Sequence, residues 1–246
     1  GWIAAGLSLI NLITAFFLLP ESLDHDKRTI ATARSFFDIK GFKRALQIPQ
    51  LGIIIILLCI VTVAFSNIFA TFPLFVMEPP FGLSSSHTGW FFVEIGIFSA
   101  IIQGGLIGRL NRIFGEKKLI VIGVTLMMLG FIGFPISALL GTIGIYGVMA
   151  GTAFLSMGSS CLTPSIMSLA SQLADPGEQG VILGIVQSFA SLARMFGPTL
   201  GGVVYDVAGH TTPFYLAAFL MAGSVFLAIR LHRHGHFRND EENAAA

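Results

Sequence analysis

Charged residues are scarce in this 246-residue chain: 11% are Asp, Glu, Lys or Arg, whereas 54% are hydrophobic. A typical soluble domain carries about 25% charged residues, so this chain lacks the charge needed to cover a surface that faces water. Its aromatic side chains carry few polar groups, because 23 are Phe and only 3 are Tyr and 2 are Trp. The composition therefore excludes an ordinary soluble domain and predicts an integral membrane protein.

Cysteine and net charge are also low. The two cysteines, Cys59 and Cys161, lie in apolar runs, which argues against a disulfide framework. A net charge of +1 excludes a broadly basic surface that would bind nucleic acid. No apolar run holds an aspartate pair, a Ser/His couple or a set of metal-ligand histidines, and the G-x-x-x-x-G-K-[ST] nucleotide motif does not occur. We therefore expect neither an enzyme nor a metal or cofactor site.

Long apolar runs are what the sequence has instead. A helix needs about 20 mostly apolar residues to cross the hydrocarbon core of a bilayer, and seven stretches qualify. The single spans are residues 2–19, 51–76, 88–108, 179–205 and 212–229. Residues 119–174 form two further spans with a turn at residues 141–144. Because these runs lack the alternation of a barrel strand, the predicted fold class is an all-α membrane protein.

The distribution of basic residues predicts the orientation. Apart from Arg194, every lysine and arginine lies in residues 20–49, 109–118 or 230–238. The connections 77–87, 141–144 and 206–211 contain none. The positive-inside rule therefore places the basic segments in the cytoplasm. We expect a multi-pass protein of the cell membrane whose N-terminus lies outside and whose C-terminus is cytoplasmic.

These spans divide the chain into four parts. We expect a transmembrane helix at 1–19, a cytoplasmic linker with a surface-lying helix at 20–50, a six-helix bundle at 51–230 and a cytoplasmic tail at 231–246. The chain begins with Gly1, and no signal-peptide pattern surrounds its first apolar run. We therefore expect it to start inside a longer protein.

Arg194 is the strongest functional signal in the sequence. Residues 179–205 would form a helix about 40 Å long, with Arg194 near its middle, too deep for its side chain to reach water along the lipid. A lipid-facing arginine there would cost at least about 2.5–3.5 kcal/mol, so we expect it to face a cavity or the bundle interior. Gln187 and Ser191 share its helical face. Two roles stay open: a cation that contacts substrate or coupling ion, or a buried arginine that locks two helices.

Glu94 is the only acidic residue clearly inside a predicted span. Unpaired, it could carry a proton; paired with Arg194, it would be structural; it could also be merely interfacial. Gln103 lies about 180° around the same helix, so the two cannot share a cavity face. Polar residues, Asn67 among them, concentrate in the second, third, fifth and sixth spans. The candidate substrate and proton pathway is Asn67, Glu94, Gln187, Ser191 and Arg194.

Four stretches resemble segments of the major facilitator superfamily, and they occur along the chain in the superfamily's order. Residues 18–22 resemble the end of its sixth helix in drug-efflux members, and 174–180 resemble the connection between helices ten and eleven. Residues 108–118 resemble its Gly-rich basic cytoplasmic turn, although Arg112 and Ile113 occupy the positions that are usually acidic and basic. Residues 191–206 resemble helix eleven of the tetracycline/multidrug proton-antiporter branch.

The resemblance implies that the chain is the C-terminal half of a transporter, from helix six to helix twelve. It would form a six-helix bundle plus one N-terminal helix and would work with a missing N-terminal half in alternating access. Gly108, Gly115, Gly197 and Pro198 would allow helices to bend. The implied function is proton-coupled efflux of amphipathic, drug-like compounds across the bilayer. Proton-coupled uptake and, from another class, a seven-helix receptor are the alternatives.

Overall fold

The computed structural model describes residues 2–18, 49–174 and 178–244. The chain divides into two units, residues 1–41 and 42–246. In the first unit, the apolar helix α1 spans Trp2–Leu18, and Thr14 Oγ1 donates a hydrogen bond to the Ile10 carbonyl within it (2.7 Å). Almost all of the predicted linker, including its surface-lying helix, lies outside the described residues.

The second unit is built from helices. In chain order they are α2 (Pro49–Met77), α3 (Ser85–Ile101), a π-helical turn (Ile102–Leu106), α4 (Ile107–Leu139), a 3-10 turn (Gly141–Gly144), α5 (Ile145–Gln172), α6 (Gln179–Ala208) and α7 (Thr212–Ala244). No strand occurs in the described ranges. The predicted all-α membrane class is confirmed, because five segments are long and apolar enough to cross a bilayer. One of these, Ser85–Leu139, is 55 residues long, so seven crossings remain a prediction.

The basic segment at residues 109–118 differs from its prediction. The sequence predicts a loop over 109–118, but the structure is helical there on both sides of Gly115, whose φ of 72° and ψ of 161° interrupt α4. Glycine adopts this left-handed φ without the steric cost of a Cβ atom. The predicted span ends at Gly108, but the helical segment that starts at Ser85 continues past it. Hydropathy shows where a helix leaves the apolar core, whereas the backbone hydrogen bonds of the helix persist in water.

The C-terminal helix shows the same difference. The last span is predicted to end at Ile229, but α7 continues to Ala244, through most of the predicted tail. The predicted reversal at residues 141–144 is confirmed, since Gly141 has a φ of 63° and a 3-10 turn connects α4 to α5.

The most extensive helix packing in the second unit joins α4 to α5. A Cβ atom on Gly130 would lie 2.7 Å from the Gly151 carbonyl oxygen, and one on Gly158 would lie 2.6 Å from the Gly123 oxygen. Helices pack this closely in membranes where small residues let the backbones approach. The α4–α5 interface is therefore a direct contact between two backbones.

A second close contact joins α2 to α6. A Cβ atom on Gly197 would lie 2.5 Å from the Val63 carbonyl oxygen, and one on Gly201 would lie 1.6 Å from Asn67 Oδ1. The two glycines are four residues apart and so share one face of α6. This G-x-x-x-G pair fixes α6, the helix that carries Arg194, against α2.

Candidate functional site

A cavity of about 550 Å³, lined by both apolar and polar residues, lies among α2, α3 with the π-helical turn, α5 and α6, with one contribution from α4. These are the four helices whose polar residues indicate a cavity lining. Its polar lining residues are Thr62, Ser66, Ser99, Gln103, Ser159, Thr163, Gln187 and Arg194. We call this space the Arg194 cavity.

Arg194 is exposed and lines this cavity, and Gln187 lies two helical turns before it on α6. Ser191, between them, is exposed but does not line the cavity. Arg194 forms no ion pair with any residue that the structure describes. The sequence leaves two roles open for Arg194. A role in locking two helices through a carboxylate has no acidic partner for Arg194 within the described ranges, whereas the role of a cation that faces a cavity matches the geometry.

Glu94 lies in a different environment. It lines a second cavity, of about 570 Å³, whose walls are mainly apolar and include Trp90 and Met149. We call it the Glu94 cavity. The half-buried carboxylate accepts a hydrogen bond from Thr152 Oγ1 at 2.9 Å. Glu94 and Arg194 line separate cavities, and no ion pair joins them in the structure.

Helix α3 separates the two cavities. Glu94 lines one of them, while Ile95, Ser99 and Gln103 line the other. This agrees with the prediction that Glu94 and Gln103 lie about 180° apart around the helix and cannot share a cavity face. Two different faces of α3 therefore contribute to the two cavities.

A chain of hydrogen bonds joins α3 to α5 along the Arg194 cavity. Ser156 Oγ donates to the Ile95 carbonyl at 2.7 Å and lies 3.1 Å from Ser99 Oγ. Ser160 Oγ donates to Ser99 Oγ at 3.0 Å, and Gln103 Nε2 donates to Ser160 Oγ at 3.3 Å. Sequence reasoning missed Ser99, although its four-residue spacing from Gln103 matches that of Ser156 and Ser160.

Asn67 does not line the Arg194 cavity. It is buried, donates from Nδ2 to the Pro213 carbonyl at 3.3 Å and accepts at Oδ1 from Thr71 Oγ1 at 3.1 Å. Its Oδ1 also lies against Gly201. These contacts place Asn67 where α2, α6 and α7 meet, a position suited to helix packing.

The four residues predicted to bend helices have different surroundings. Gly115 interrupts α4, and Gly197 contacts α2. Pro198 lies inside α6, which is helical from Gln179 to Ala208. Gly108 is exposed, with nothing within 4 Å of an added Cβ atom. Their bending during transport stays a prediction.

Glu116 is a second residue that sequence reasoning missed. Its Oε1 accepts hydrogen bonds from Asn111 Nδ2 (3.0 Å), Ser168 Oγ (3.1 Å) and Gln172 Nε2 (2.9 Å). The turn lacks an acid at Arg112, and Glu116 provides a carboxylate four residues later that links α4 to the end of α5. An acid within an otherwise basic segment was the available signal.

Comparison with known proteins agrees with this architecture. The family model described as the Major Facilitator Superfamily matches residues 1–151 and, in a second match, residues 106–245. The chain is 30% identical over 222 residues to Multidrug resistance protein 2 of Bacillus subtilis (strain 168), covering 89% of this chain and 53% of that protein.

Two more relatives show how widely the similarity extends. Solute carrier family 22 member 18 of Mus musculus is 25% identical over 91% of this chain and 54% of its own length. The class C tetracycline resistance protein of Escherichia coli is 25% identical over 85% of this chain and 50% of its own length. The chain thus spans about half the length of the curated relatives that it matches. It is a multi-pass, all-helical membrane protein that belongs to the Major Facilitator Superfamily, a family of transporters and not of enzymes.

Proposed function

We propose that this chain is the C-terminal half of an alternating-access transporter that exports small amphipathic, drug-like compounds in exchange for protons. The observation that carries the proposal is the Arg194 cavity, because it places a cation and several amide and hydroxyl groups in the middle of a membrane-spanning bundle. Ionisable residues at such depth generally mark substrate or ion pathways. The relatives named for multidrug and tetracycline resistance support an export role.

The cavity-facing side of α6 supports a partner for this bundle. Gln187 and Ser191, which share a helical face with Arg194, are exposed as Arg194 is. Lipid against this side would contact the guanidinium directly, at high cost. A second six-helix half would instead enclose Arg194 in a central cavity, as alternating access between two bundles requires.

The proposed orientation follows the basic segments. Residues 20–49 and 109–118 and the C-terminal end would lie in the cytoplasm, and the N-terminus of this chain would lie outside the cell membrane. Gly115 would then lie at the cytoplasmic side, while Glu94, nine residues after α3 begins at Ser85, would lie toward the outer side.

We assign the proton to Glu94. Its carboxylate is half-buried among apolar groups and accepts a hydrogen bond from Thr152, and it pairs with no basic side chain that the structure describes. A carboxyl group without a cationic partner can gain and lose a proton as the cavity opens to either side. Gly108, Gly115, Gly197 and Pro198 would accommodate the accompanying helix movements.

Transport direction is tested with inverted membrane vesicles that contain the full-length protein and are acidified inside by respiration. Tetracycline fluorescence reports drug movement. We expect tetracycline to accumulate inside, since export from a cell is uptake into an inverted vesicle, and an uncoupler should abolish the accumulation. Accumulation in right-side-out vesicles instead would indicate an uptake symporter, and no movement in either preparation would refute transport of this compound. Membership of this transporter family does not favour the receptor alternative.

The role of Glu94 is tested by Glu94→Gln, which keeps the shape and hydrogen-bonding capacity of the side chain but cannot ionise. We expect uncoupler-sensitive tetracycline accumulation to fall by about a hundredfold or more, because the amide cannot carry a proton. Glu78→Gln makes the same change outside the spans, because Glu78 follows the end of α2, where it pairs with His210. Equal activity in both variants would remove Glu94 from the proton pathway.

A further inference from the structure

We infer that the Arg194 cavity binds the acidic group of its solute, so that the preferred substrates are aromatic anions or zwitterions. This inference rests on the proposed transport function and specifies the substrate class. It follows from the charges, the hydrogen-bond donors and the aromatic groups of one cavity.

The charge of the lining is the first argument. Arg194 is the one charged residue among the residues that line the cavity, and none of them is Asp or Glu. Glu94, the acid nearest in sequence to the lining residues of α3, faces the Glu94 cavity. Once a second six-helix half encloses this face, as the proposed function requires, the guanidinium is costly unless an anion neutralises it. Within the part of the chain described, no carboxylate does so.

The donors of the cavity are the second argument. A guanidinium presents five N–H groups in a planar fork that matches a carboxylate, and such charge-assisted bonds are roughly twice as strong as neutral ones. The Arg194 side chain makes no hydrogen bond to a described residue. Gln187 on the same helix and Gln103 on the π-helical turn add amide N–H donors to the lining. The strongest donor in the cavity therefore has no acceptor among the described residues.

Aromatic rings form the third argument. Phe65 and Phe69 line the same cavity from α2, with their ring centroids 6.0 Å apart at an angle of 86°, and Phe69 is 61% exposed. The volume of about 550 Å³ falls within the usual range for small-molecule sites. An aromatic body can stack on the exposed ring while its acidic group reaches the guanidinium.

The Glu94 cavity provides the contrast. Its carboxylate and the ring of Trp90, which is 70% exposed, form a combination that attracts cations. Solute charge should therefore decide between the two sides of α3, with acids binding beside Arg194. A carboxylate from the other half of the full-length protein is the competing partner for Arg194, and the experiment below separates it from a solute.

The test uses purified full-length protein in lipid nanodiscs and two radiolabelled probes with the same ring system and opposite charge, 1-naphthoate and 1-naphthylmethylammonium. Wild-type protein should bind 1-naphthoate, and Arg194→Gln should raise its Kd at least about tenfold, the effect of losing one charge-assisted contact. Arg194→Lys should restore part of the affinity. Binding of the ammonium probe should not weaken in Arg194→Gln.

A second variant keeps the arginine and changes the charge beside it. Gln187→Glu places a carboxylate on the same face of α6, where it competes with the solute for Arg194, so 1-naphthoate affinity should fall while the protein elutes as wild type in size-exclusion chromatography. Two results together would overturn the inference and identify a structural ion pair between Arg194 and the other half. Arg194→Gln would fail to fold or would lose affinity for both probes equally, and Gln187→Glu would bind 1-naphthoate as tightly as wild type.

Two other results would also overturn the inference: tighter binding of the ammonium probe by wild-type protein, or binding of neither probe. The transport proposal fails separately. If 1-naphthoate binds in an Arg194-dependent manner but does not accumulate in energised inverted vesicles, the anion site stands and export of this solute is refuted. If tetracycline accumulates while 1-naphthoate does not bind, transport stands and the anion site is refuted.

Discussion

The two interfaces that α5 makes differ in what fills them. Toward α4, glycine backbones touch, and a single added Cβ atom on Gly130 or Gly158 would approach a carbonyl oxygen to within 2.7 Å. Toward α3, Ser156 and Ser160 form hydrogen bonds beside the Arg194 cavity. One helix thus has a close-packed face and a face that lines a cavity.

The difference shows how a membrane protein can hold a cavity open. Apolar side chains gain little from leaving lipid, so helices associate through close packing and hydrogen bonds. The glycines on each side of the α4–α5 contact, Gly123 with Gly130 and Gly151 with Gly158, are seven residues apart, which places each pair on one helix face. Contact between these backbones fixes α5, and its opposite face is free to carry hydroxyl groups.

The largest effect on stability should come from breaking the close-packed side. Gly130→Ala introduces a methyl group 2.7 Å from both the Gly151 oxygen and Leu155 Cγ, and overpacking of this kind costs about 1–3 kcal/mol. We expect a lower Tm for the full-length protein in detergent, measured by intrinsic fluorescence.

The matched control lies one turn later on the same helix. A Cβ atom on Gly133 would lie 3.8 Å from the Gly151 Cα atom, which is ordinary van der Waals contact. Gly133→Ala should therefore keep the wild-type Tm or raise it slightly, because alanine favours helix. A similar loss of stability in both variants would show that the contact at Gly130 is not specifically close.

The second prediction breaks the contact that holds α6. Gly201→Ala introduces a methyl group 1.6 Å from Asn67 Oδ1, so the amide must turn away and lose its hydrogen bonds to Thr71 and Pro213. The loss should cost about 1–2 kcal/mol and lower the Tm. Gly202→Ala, with nothing within 4 Å of its Cβ atom, is the control. If Gly202→Ala were the more damaging of the two, the assignment of the α2-facing side of α6 would be wrong.

The third prediction compares the two faces of α2 directly. Thr62 lines the Arg194 cavity and is half-buried, whereas Thr71 is 0% exposed. In full-length protein with Cys59→Ser and Cys161→Ala, Thr62→Cys should react with N-ethylmaleimide at least about tenfold faster than Thr71→Cys, because thiol reactivity requires access. Labelling is measured by mass spectrometry. Equal rates would mean that the cavity is closed to water in the full-length protein.

Much of this fold follows from the sequence, since apolar length locates the helices and glycine locates the reversal at residues 141–144. The helix period also separates Glu94 from Gln103 correctly. Where a helix ends in water cannot be predicted in the same way: α4 passes Gly108 and α7 passes Ile229, because hydropathy reports the bilayer and not the hydrogen-bonded backbone.

The candidate site was harder to predict than the fold. Ser66 and Asn67 are adjacent and therefore point about 100° apart on α2, and only the packing of α6 decides which of them lines the cavity. The partners of Glu116 are equally non-local, since Ser168 and Gln172 are more than 50 residues away. Sequence spacing shows that a helix is polar, but the neighbouring helices determine what each polar group contacts.

The smallest predicted effect concerns the end of the α4–α5 contact where Glu116 lies. Glu116→Ala removes three hydrogen bonds that join α4 to itself and to α5. Since the site is partly open to water, we expect a loss of only about 1 kcal/mol, seen as a small drop in Tm, and Glu116→Gln should recover part of it because its amide oxygen can still accept. A larger effect than that of Gly130→Ala would mean that this carboxylate, and not the glycine contact, holds α4 and α5 together.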